Sequence, residues 1–274
     1  MNRINQCFQK LKRNDQTALI SYVTAGDPEP WVTVPLLHAL VDAGADILEL
    51  GVPFSDPMSD GPVIQKACER ALKNDVSIHH VFDMVRQFRE KDKETPIVLM
   101  GYANPIEAIG YKAFAQQSQA AGVDGVLTVD MPPEEAENEF LPLMKEYGVD
   151  TIFLVAPTTS EQRMAKIAQH ASGFIYYVSI KGVTGAAALD VSDVSKKLSQ
   201  LRKCTDLPIG VGFGIRDGKS AAKVATIADA VVVGSALVNC IEEHADRAEE
   251  IPAMVAGRLA EMRHAINAQD IAKG

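Results

Sequence analysis

A glycine and an aspartate precede a short apolar run in Ala43-Gly44-Ala45-Asp46-Ile47-Leu48-Glu49-Leu50-Gly51. The same order of glycine, one residue, aspartate and apolar run returns at residues 121–129 and 147–155. Glycine accepts the left-handed conformation that commonly ends a helix, and an apolar run of this length is typical of a buried strand. The repeated segment therefore predicts joints at which a helix ends and a strand begins.

Along the rest of the chain, apolar runs of strand length alternate with segments in which apolar residues recur at the spacing of a helix. The runs cover residues 18–23, 46–50, 96–100, 125–129, 151–155, 174–178, 208–211 and 230–233. Strict alternation predicts parallel strands joined by right-handed crossovers, which fit either a closed (β/α)8 barrel or a doubly wound open sheet. Because no linker-like segment divides the chain, we expect one domain over residues 1–274, with short extra helices at the start and near residues 62–73. Thr159 and Gln162 predict a capping box at the start of another helix.

The composition is that of a globular protein. Of 274 residues, 47% are hydrophobic and 23% are charged, which allows a sizeable core and excludes disordered and fibrous classes. The chain has 27 Lys and Arg against 36 Asp and Glu, a formal charge of −9, and no basic cluster stands out, which argues against nucleic-acid binding. An anionic substrate stays possible, because backbone N–H groups at a helix start hold a phosphate whatever the net charge.

The four cysteines lie far apart and form no Cys-x-x-Cys pair, so we expect them to be reduced. Residues 1–14 lack an apolar signal region, and no stretch approaches 18 uninterrupted apolar residues. These features predict a cytoplasmic protein without membrane contact.

The first candidate for chemistry is the segment from Leu48 to Gly61. Glu49 lies between two leucines of a predicted strand, where burial raises the pKa of a carboxyl group and makes it suitable as a general acid and base. Asp56 and Asp60 follow on a loop at the carboxyl end of that strand. The alternatives are a Glu49 that faces solvent or pairs with a lysine, and aspartates that only form turns. A metal site is disfavoured because the segment has no histidine and no regular ligand spacing.

The second candidate is a pair of glycine sites late in the chain. Gly212-Phe213-Gly214 and Gly234-Ser235 each follow a predicted strand, and Gly234-Ser235 also opens a helix. Bare N–H groups at such positions bind phosphate, and barrels often place a phosphate site after their seventh and eighth strands. Tight turns without a ligand are the alternative.

A third segment, Lys181 to Ala188, is rich in small residues. It lacks the order of a P-loop, and it fits either a lid that closes over substrate or a disordered linker. The histidines are scattered, which predicts surface or capping roles for them.

Taken together, these residues resemble the tryptophan synthase alpha subunit family. The segment from Leu48 to Gly61 looks like the family's signature, and Gly182-Val183-Thr184-Gly185 and the two late glycine sites recur in the family's order and at similar spacing. The resemblance covers the whole chain. It implies a single (β/α)8 TIM barrel that cleaves indole-3-glycerol phosphate to indole and glyceraldehyde 3-phosphate, a retro-aldol step with no metal or organic cofactor.

The resemblance also implies the roles of individual residues. Glu49 would be the principal acid and base, and Asp60 would hold the indole N–H and stabilise the positive charge on the ring. The phosphate would be bound by Gly185, Phe213, Gly214, Gly234 and Ser235. The indole pocket would be lined by Tyr22, Ile64, Met100, Leu127, Val129 and Phe153. Tyr176 would lie beside Glu49, and Thr184 would contact Asp60 when the lid closes. The family more often has Phe, Leu, Ala and Ile at Tyr22, Met100, Val129 and Phe153, so we expect a different pocket shape but the same reaction.

A partner is implied as well, the pyridoxal-phosphate-dependent beta subunit, which receives indole through a tunnel in an alpha-2 beta-2 tetramer. The partner-facing residues would lie on the loop from Pro53 to Asp60, at Asn104-Pro105 and around Asp130 to Pro132. Asp56 would contact a basic group of the partner.

Two rival functions remain to be weighed. Other phosphate-binding barrels, such as indole-glycerol-phosphate synthases and phosphoribosyl isomerases, would place a Lys or an Asp at the end of the first strand. Here that strand ends in Tyr22-Val23-Thr24-Ala25-Gly26, which disfavours them. A catalytically silent regulatory subunit is disfavoured because both Glu49 and Asp60 are present.

Overall fold

The computed structural model describes residues 2–178, 191–212 and 214–272. Within this part of the chain the strands are β1 (Ala18–Thr24), β2 (Ile47–Gly51), β3 (Ile97–Gly101), β4 (Gly125–Thr128), β5 (Asp150–Val155), β6 (Ile175–Val178), β7 (Ile209–Gly212) and β8 (Ala230–Val233). Each strand pairs in parallel with the next one along the chain, and β8 pairs with β1. The sheet is therefore a closed barrel, which decides between the two architectures that the alternation left open.

Helices surround the barrel in the described part of the chain. The first half contributes α1 (Arg3–Arg13), α2 (Pro30–Asp42), α3 (Pro62–Leu72), α4 (Ile78–Arg89), α5 (Ala103–Ile109), α6 (Tyr111–Ala121) and α7 (Pro133–Ala136). The second half contributes α8 (Phe140–Glu146), α9 (Glu161–His170), α10 (Val191–Leu201), α11 (Gly218–Ala225), α12 (Ser235–Glu243) and α13 (Ile251–Ile271), with a 3₁₀ helix at Ala245–Glu250. The extra helices expected at the start and near residues 62–73 are α1 and α3. No helix among the described residues is both long and apolar enough to span a bilayer.

The strand predictions are confirmed to within one residue at each end. The helix-to-strand joints are confirmed too, because Gly44 and Gly122 adopt positive φ angles of 101° and 88° directly before β2 and β4. The aspartates of these joints are structural: Asp46 Oδ2 accepts the Leu19 N–H at 2.8 Å, and Asp124 Oδ2 accepts the Ile97 N–H at 2.9 Å. Each thereby links its own strand to the preceding one.

The predicted capping box is wrong by one residue. Ser160, not Thr159, caps α9, and its hydroxyl accepts the Arg163 N–H at 3.3 Å. Thr159 Oγ1 instead accepts the Ala156 N–H at 3.0 Å inside the preceding turn. Neighbouring Ser and Thr both have capping hydroxyls, so residue type alone does not choose between them.

The amino-terminal end of the barrel is closed by α1. Ile4, Phe8 and Leu11 of this helix pack on inward-facing side chains of the strands, and the Phe8 ring lies 5.9 Å from that of Phe174. Outward-facing strand residues form a second apolar layer with the surrounding helices. With that end filled, the carboxyl ends of the strands are the face on which barrel enzymes carry their active sites.

Candidate active site

Glu49 projects into the barrel from β2. Its neighbours Leu48 and Leu50 pack in the outer apolar layer, so the alternation of the strand turns Glu49 inward. Only 1% of the residue is exposed, and Oε1 has no hydrogen-bond partner among the described residues. The alternative of a solvent-facing Glu49 is therefore wrong.

The surroundings of Glu49 favour its protonated form. Burial, with a smaller contribution from the nearby Asp60 charge, raises the pKa of Glu49 to about 8. Removing a carboxylate from water without a compensating cation is costly, so the group keeps its proton at neutral pH. Glu49 can then donate a proton as an acid and recover it as a base.

Asp60 lies at the end of the loop that follows β2, directly before α3. Its Oδ2 accepts a hydrogen bond of 2.9 Å from the Tyr102 hydroxyl, and its backbone carbonyl accepts the Gln65 amide at 2.9 Å. Burial raises the pKa of Asp60, and the Tyr102 hydrogen bond opposes that rise. The loop thus brings a second carboxyl group towards Glu49.

Two tyrosines at the carboxyl end of the barrel lean over glycines of the next strand. A Cβ at Gly51 would lie 2.2 Å from the Tyr22 hydroxyl, and a Cβ at Gly212 would lie 2.1 Å from the Tyr176 hydroxyl. A methyl group at either position would overlap a phenol oxygen, so the tyrosine would have to move to admit any larger residue. The charges of Glu49 and Asp60 contribute to raised pKa values of both tyrosines, after burial, so these groups share one site.

The residues expected to line an apolar pocket fall into two adjoining clusters. Tyr22 packs with Ile64 and Met100, and Met100 also belongs to the interior cluster that contains Leu127, Val129 and Tyr176. The structure therefore brings these residues together in the interior of the barrel.

Phe153 is the exception, and its predicted place in the pocket is wrong. It packs in the outer layer between β5 and the helices, whereas Leu154 is the β5 residue that joins the interior cluster. Successive side chains of a strand point to opposite faces, so an alignment error of one residue exchanges interior for exterior.

The glycine sites lie directly after β7 and β8, at the carboxyl ends of these strands. Gly234 is the N-cap of α12 and Ser235 is its first residue, and Gly214 follows β7 with a φ of 76°. The first N–H groups of a helix lack partners within it and carry the positive end of its dipole. Thr184, Gly185 and Phe213, which were predicted to contact substrate, lie outside the described residues.

The residues expected to face a partner differ in exposure. Asp56 and Asn104 are exposed and Pro132 is partly exposed, while Pro53 is buried. In the chain by itself the buried Pro53 offers a partner little surface, and its place at the interface stays a prediction. Met58 of the same loop, which the sequence did not single out, is 77% exposed.

Sequence reasoning also missed Tyr102 and Leu154. Tyr102 directly follows β3, and residues at the carboxyl ends of barrel strands are where catalytic groups lie. That position was the available signal for Tyr102, and strict alternation along β5 was the signal for Leu154.

A closed (β/α)8 barrel with a buried carboxyl group on β2, a second one on the following loop and a helix amino terminus directly after β8 is the arrangement typical of an acid–base enzyme for a phosphorylated substrate. The family model of the tryptophan synthase alpha chain matches residues 8–267. The alpha chain of Nitrosococcus oceani is 60% identical over 270 residues, covering 98% of this chain and 99% of the relative. The chain therefore belongs to the tryptophan synthase alpha chain family, whose members are lyases that cleave indole-3-glycerol phosphate.

Solved structures agree with this assignment. Tryptophan synthase subunit alpha from Legionella pneumophila has a TM-score of 0.91 and 47% identity, with 98% of this chain and 99% of that chain covered. A chain of the tryptophan synthase a2b2 complex from Pyrococcus furiosus has a TM-score of 0.82 and 38% identity, with 90% and 98% covered. The similar structures thus include an assembly with a second kind of subunit.

Proposed function

We propose that Glu49 and Asp60 carry out the cleavage of indole-3-glycerol phosphate to indole and glyceraldehyde 3-phosphate, with the chain acting as one catalytic domain. The observation that carries this proposal is Glu49 itself, a buried carboxyl group on the inner face of β2 with a pKa raised to about 8 and an oxygen without a described partner. A buried carboxylic acid that keeps its proton at neutral pH is what carbon protonation of an indole ring requires.

The proton moves from Glu49 to the substrate and back. Glu49 first protonates the indole carbon that carries the glycerol phosphate side chain, which leaves an iminium cation in the ring and a carboxylate at Glu49. The carboxylate then removes the proton of the adjacent side-chain hydroxyl. The bond between ring and side chain breaks, its electrons restore the aromatic ring, and an aldehyde forms. Glu49 ends protonated, so it is ready for the next substrate.

Asp60 stabilises the intermediate cation. Its carboxylate would accept the indole N–H, which becomes more acidic once the ring carries positive charge. A fixed anion in a water-poor site stabilises such a charge much more than water does. The Tyr102 hydrogen bond, at 2.9 Å, supports the ionised form that this role needs.

The other end of the substrate is a phosphate, for which Gly214, Gly234 and Ser235 are the described candidates. The first turn of α12 supplies N–H groups and the positive end of a helix dipole without any basic side chain. Such a site is compatible with the formal charge of −9. Between the two carboxyl groups and the phosphate site, the lining suits the flat indole ring. It consists of Tyr22, Ile64, Met100, Leu127, Val129 and Tyr176.

The chain needs no cofactor of its own for this chemistry, because Glu49 supplies and recovers the single proton. We propose a cytoplasmic alpha-2 beta-2 assembly in which pyridoxal phosphate belongs to the beta subunit. Exposed Asp56, Met58 and Asn104 and the partly exposed Pro132 are the described residues that would contact it. The Pyrococcus furiosus complex supports this proposal.

The direct test is indole release from indole-3-glycerol phosphate by the purified chain, alone and with a beta subunit. We expect Glu49→Gln to lose indole release and Asp60→Asn to keep only a small residual rate, with and without the partner. Asp56→Asn is the matched control, because it removes a carboxylate from the same loop but from an exposed position. It should leave release by the chain alone unchanged and weaken only the response to the beta subunit. Retained activity in Glu49→Gln would remove Glu49 from the mechanism.

A further inference from the structure

The loop between β2 and α3 depends on Tyr102, a residue of another strand's loop. Tyr102 directly follows β3 and is the N-cap of α5, and 3% of it is exposed. Its hydroxyl accepts the Ser59 N–H at 3.0 Å and donates to Asp60 Oδ2 at 2.9 Å. One oxygen therefore bridges the backbone and the carboxylate of adjacent loop residues.

This bridge has a fixed direction. A backbone N–H can only donate, so the hydrogen bond from Ser59 occupies an acceptor site of the phenol oxygen. The phenol proton is then left for Asp60, which as a carboxylate can only accept. The arrangement presents a donor to the ionised form of Asp60.

The backbone of Asp60 is held as well. The Asp60 N–H donates to the Pro57 carbonyl at 3.1 Å, and Gln65 Nε2 donates to the Asp60 carbonyl at 2.9 Å. Backbone contacts leave the side-chain torsions free, so the orientation of the carboxylate needs a contact of its own. The Tyr102 ring is itself fixed from the loop side by Phe54, with ring centroids 5.2 Å apart.

We infer that Tyr102 is a positioning residue for the lyase reaction, which holds the carboxylate of Asp60 ionised and oriented towards the indole N–H. The inference deepens the proposed function and rests on it. Tyr102 does not contact the reacting atoms in this account. It acts through Asp60, and its effect should appear when positive charge develops on the ring.

The effect of the Tyr102 hydroxyl on the ionisation of Asp60 can be measured through the pH dependence of the reaction. Among the described residues, the titratable groups that interact electrostatically with Asp60 are Glu49 from β2, Tyr22 from β1, Tyr176 from β6, Cys68 from α3 and Tyr102 itself. Burial raises the pKa of Asp60, and the Tyr102 hydroxyl counteracts this. Loss of the hydroxyl should raise the pKa of Asp60 further, so activity should be lost at a higher pH as the solution is made acidic.

The experiment compares Tyr102→Phe with Tyr111→Phe in indole release from indole-3-glycerol phosphate, by the chain together with a beta subunit. Tyr111 is the matched control because its hydroxyl also donates to a carboxylate, Glu107 Oε1 at 2.5 Å, on helices α5 and α6. For Tyr102→Phe we expect kcat to fall about tenfold with KM within about twofold, and the acidic limb of the pH profile to move to higher pH. Tyr111→Phe should match the unmodified chain in all three measurements.

A double-mutant cycle separates positioning from a general structural effect. In an Asp60→Asn background the hydroxyl has no carboxylate to orient, so Tyr102→Phe should reduce the residual rate by less than about twofold. A merely structural contribution would give the same fold-loss in both backgrounds, and that result would overturn the inference. An unchanged pH profile and kcat in Tyr102→Phe would overturn it too, while leaving the proposed function intact. No indole release by the unmodified chain would instead overturn the proposed function and this inference with it.

Discussion

At the scale of single residues, the buried carboxyl group of Glu49, which the proposed reaction needs, makes the stability of the folded chain depend on pH. Its pKa is about 8 in the folded chain, against an ordinary value of 4.5, because the folded barrel buries it. The folded state therefore binds this proton more tightly than the unfolded state. The stability that the neutral form provides is complete below about pH 4.5 and is lost progressively as the pH rises through about 8.

Glu49→Gln should consequently stabilise the protein in alkaline solution. The amide cannot ionise, so we expect the variant to exceed the unmodified chain in free energy of unfolding by about 2–4 kcal/mol at pH 9, and by little at pH 5. Urea unfolding at the two pH values measures this difference. Glu90→Gln on the surface should show no such dependence, and an equal effect of Glu49→Gln at both pH values would contradict the burial argument.

Gly51 is a second residue whose identity follows from a contact. Gly51→Ala would place a methyl carbon 2.2 Å from the Tyr22 hydroxyl, so the phenol must leave its position beside Thr24. We expect a loss of about 1–3 kcal/mol in stability and a reduced kcat/KM. Tyr22→Phe in the same chain removes the overlapping oxygen and should restore part of both. The ring carbon Cζ, 2.8 Å from the added methyl, stays in place, so the rescue should be partial. If the double variant is no better than Gly51→Ala, overlap with the hydroxyl oxygen is not the cause.

At the scale of elements, the amino terminus of α12 binds the phosphate in the proposed function. Ser235→Asp would place a negative charge at the first residue of this helix, where it occupies the same N–H groups and repels the phosphate. We expect KM for indole-3-glycerol phosphate to rise about tenfold or more, with a smaller change in kcat. Steady-state kinetics of indole release measure both values.

Ser160→Asp is the control for this substitution. It introduces the same charge at the amino terminus of α9, where aspartate is an equally good cap. Its KM should stay unchanged. Equal increases in KM for both variants would indicate an effect of net charge and not of the α12 site.

The helices and strands also show how much of the fold can be predicted from the sequence. The strands, the helix-ending glycines and the inward Glu49 could be predicted, because each depends on local spacing and on conformations that few residues accept. The sequence could not show which of Phe153 and Leu154 faces the interior of the barrel. The strand β5 is apolar on both faces there, so no polar residue marks its outward side. Tyr102 was missed because its value lies in a contact with Asp60, 42 residues earlier in the chain.

At the scale of the whole molecule, the buried carboxylate of Asp124 forms part-buried ion pairs that link distant segments on the amino-terminal side of the barrel. Asp124 pairs with Arg3 of α1 and Arg89 of α4 at 2.9 Å and 2.8 Å, in addition to its bond with the Ile97 N–H. One carboxylate thereby joins two helices and two strands. The alternation of strands and helices could not predict whether the sheet closes into a barrel, because contacts between distant segments leave no periodic signal in the sequence.

Asp124→Ala should therefore destabilise the chain by about 3–5 kcal/mol, since it leaves arginine charges and a backbone N–H without their partner. Asp83→Ala breaks an exposed pair with Arg86 within α4 and should cost less than about 1 kcal/mol. Urea unfolding at neutral pH compares the two variants. Similar losses for both would mean that Asp124 does not join the barrel in the way described.

The pH dependence of indole release tests the central claim, that Glu49 acts as the acid, most directly. Rates would be measured from pH 6 to pH 10 with indole-3-glycerol phosphate well below KM, where they follow kcat/KM and report the ionisation of the free enzyme, for the unmodified chain and for Glu49→Gln. We predict that the rate of the unmodified chain falls with a midpoint near pH 8, where Glu49 loses its proton, and that Glu49→Gln is inactive throughout. A rate that stays constant up to pH 10, or substantial indole release by Glu49→Gln, would contradict the account.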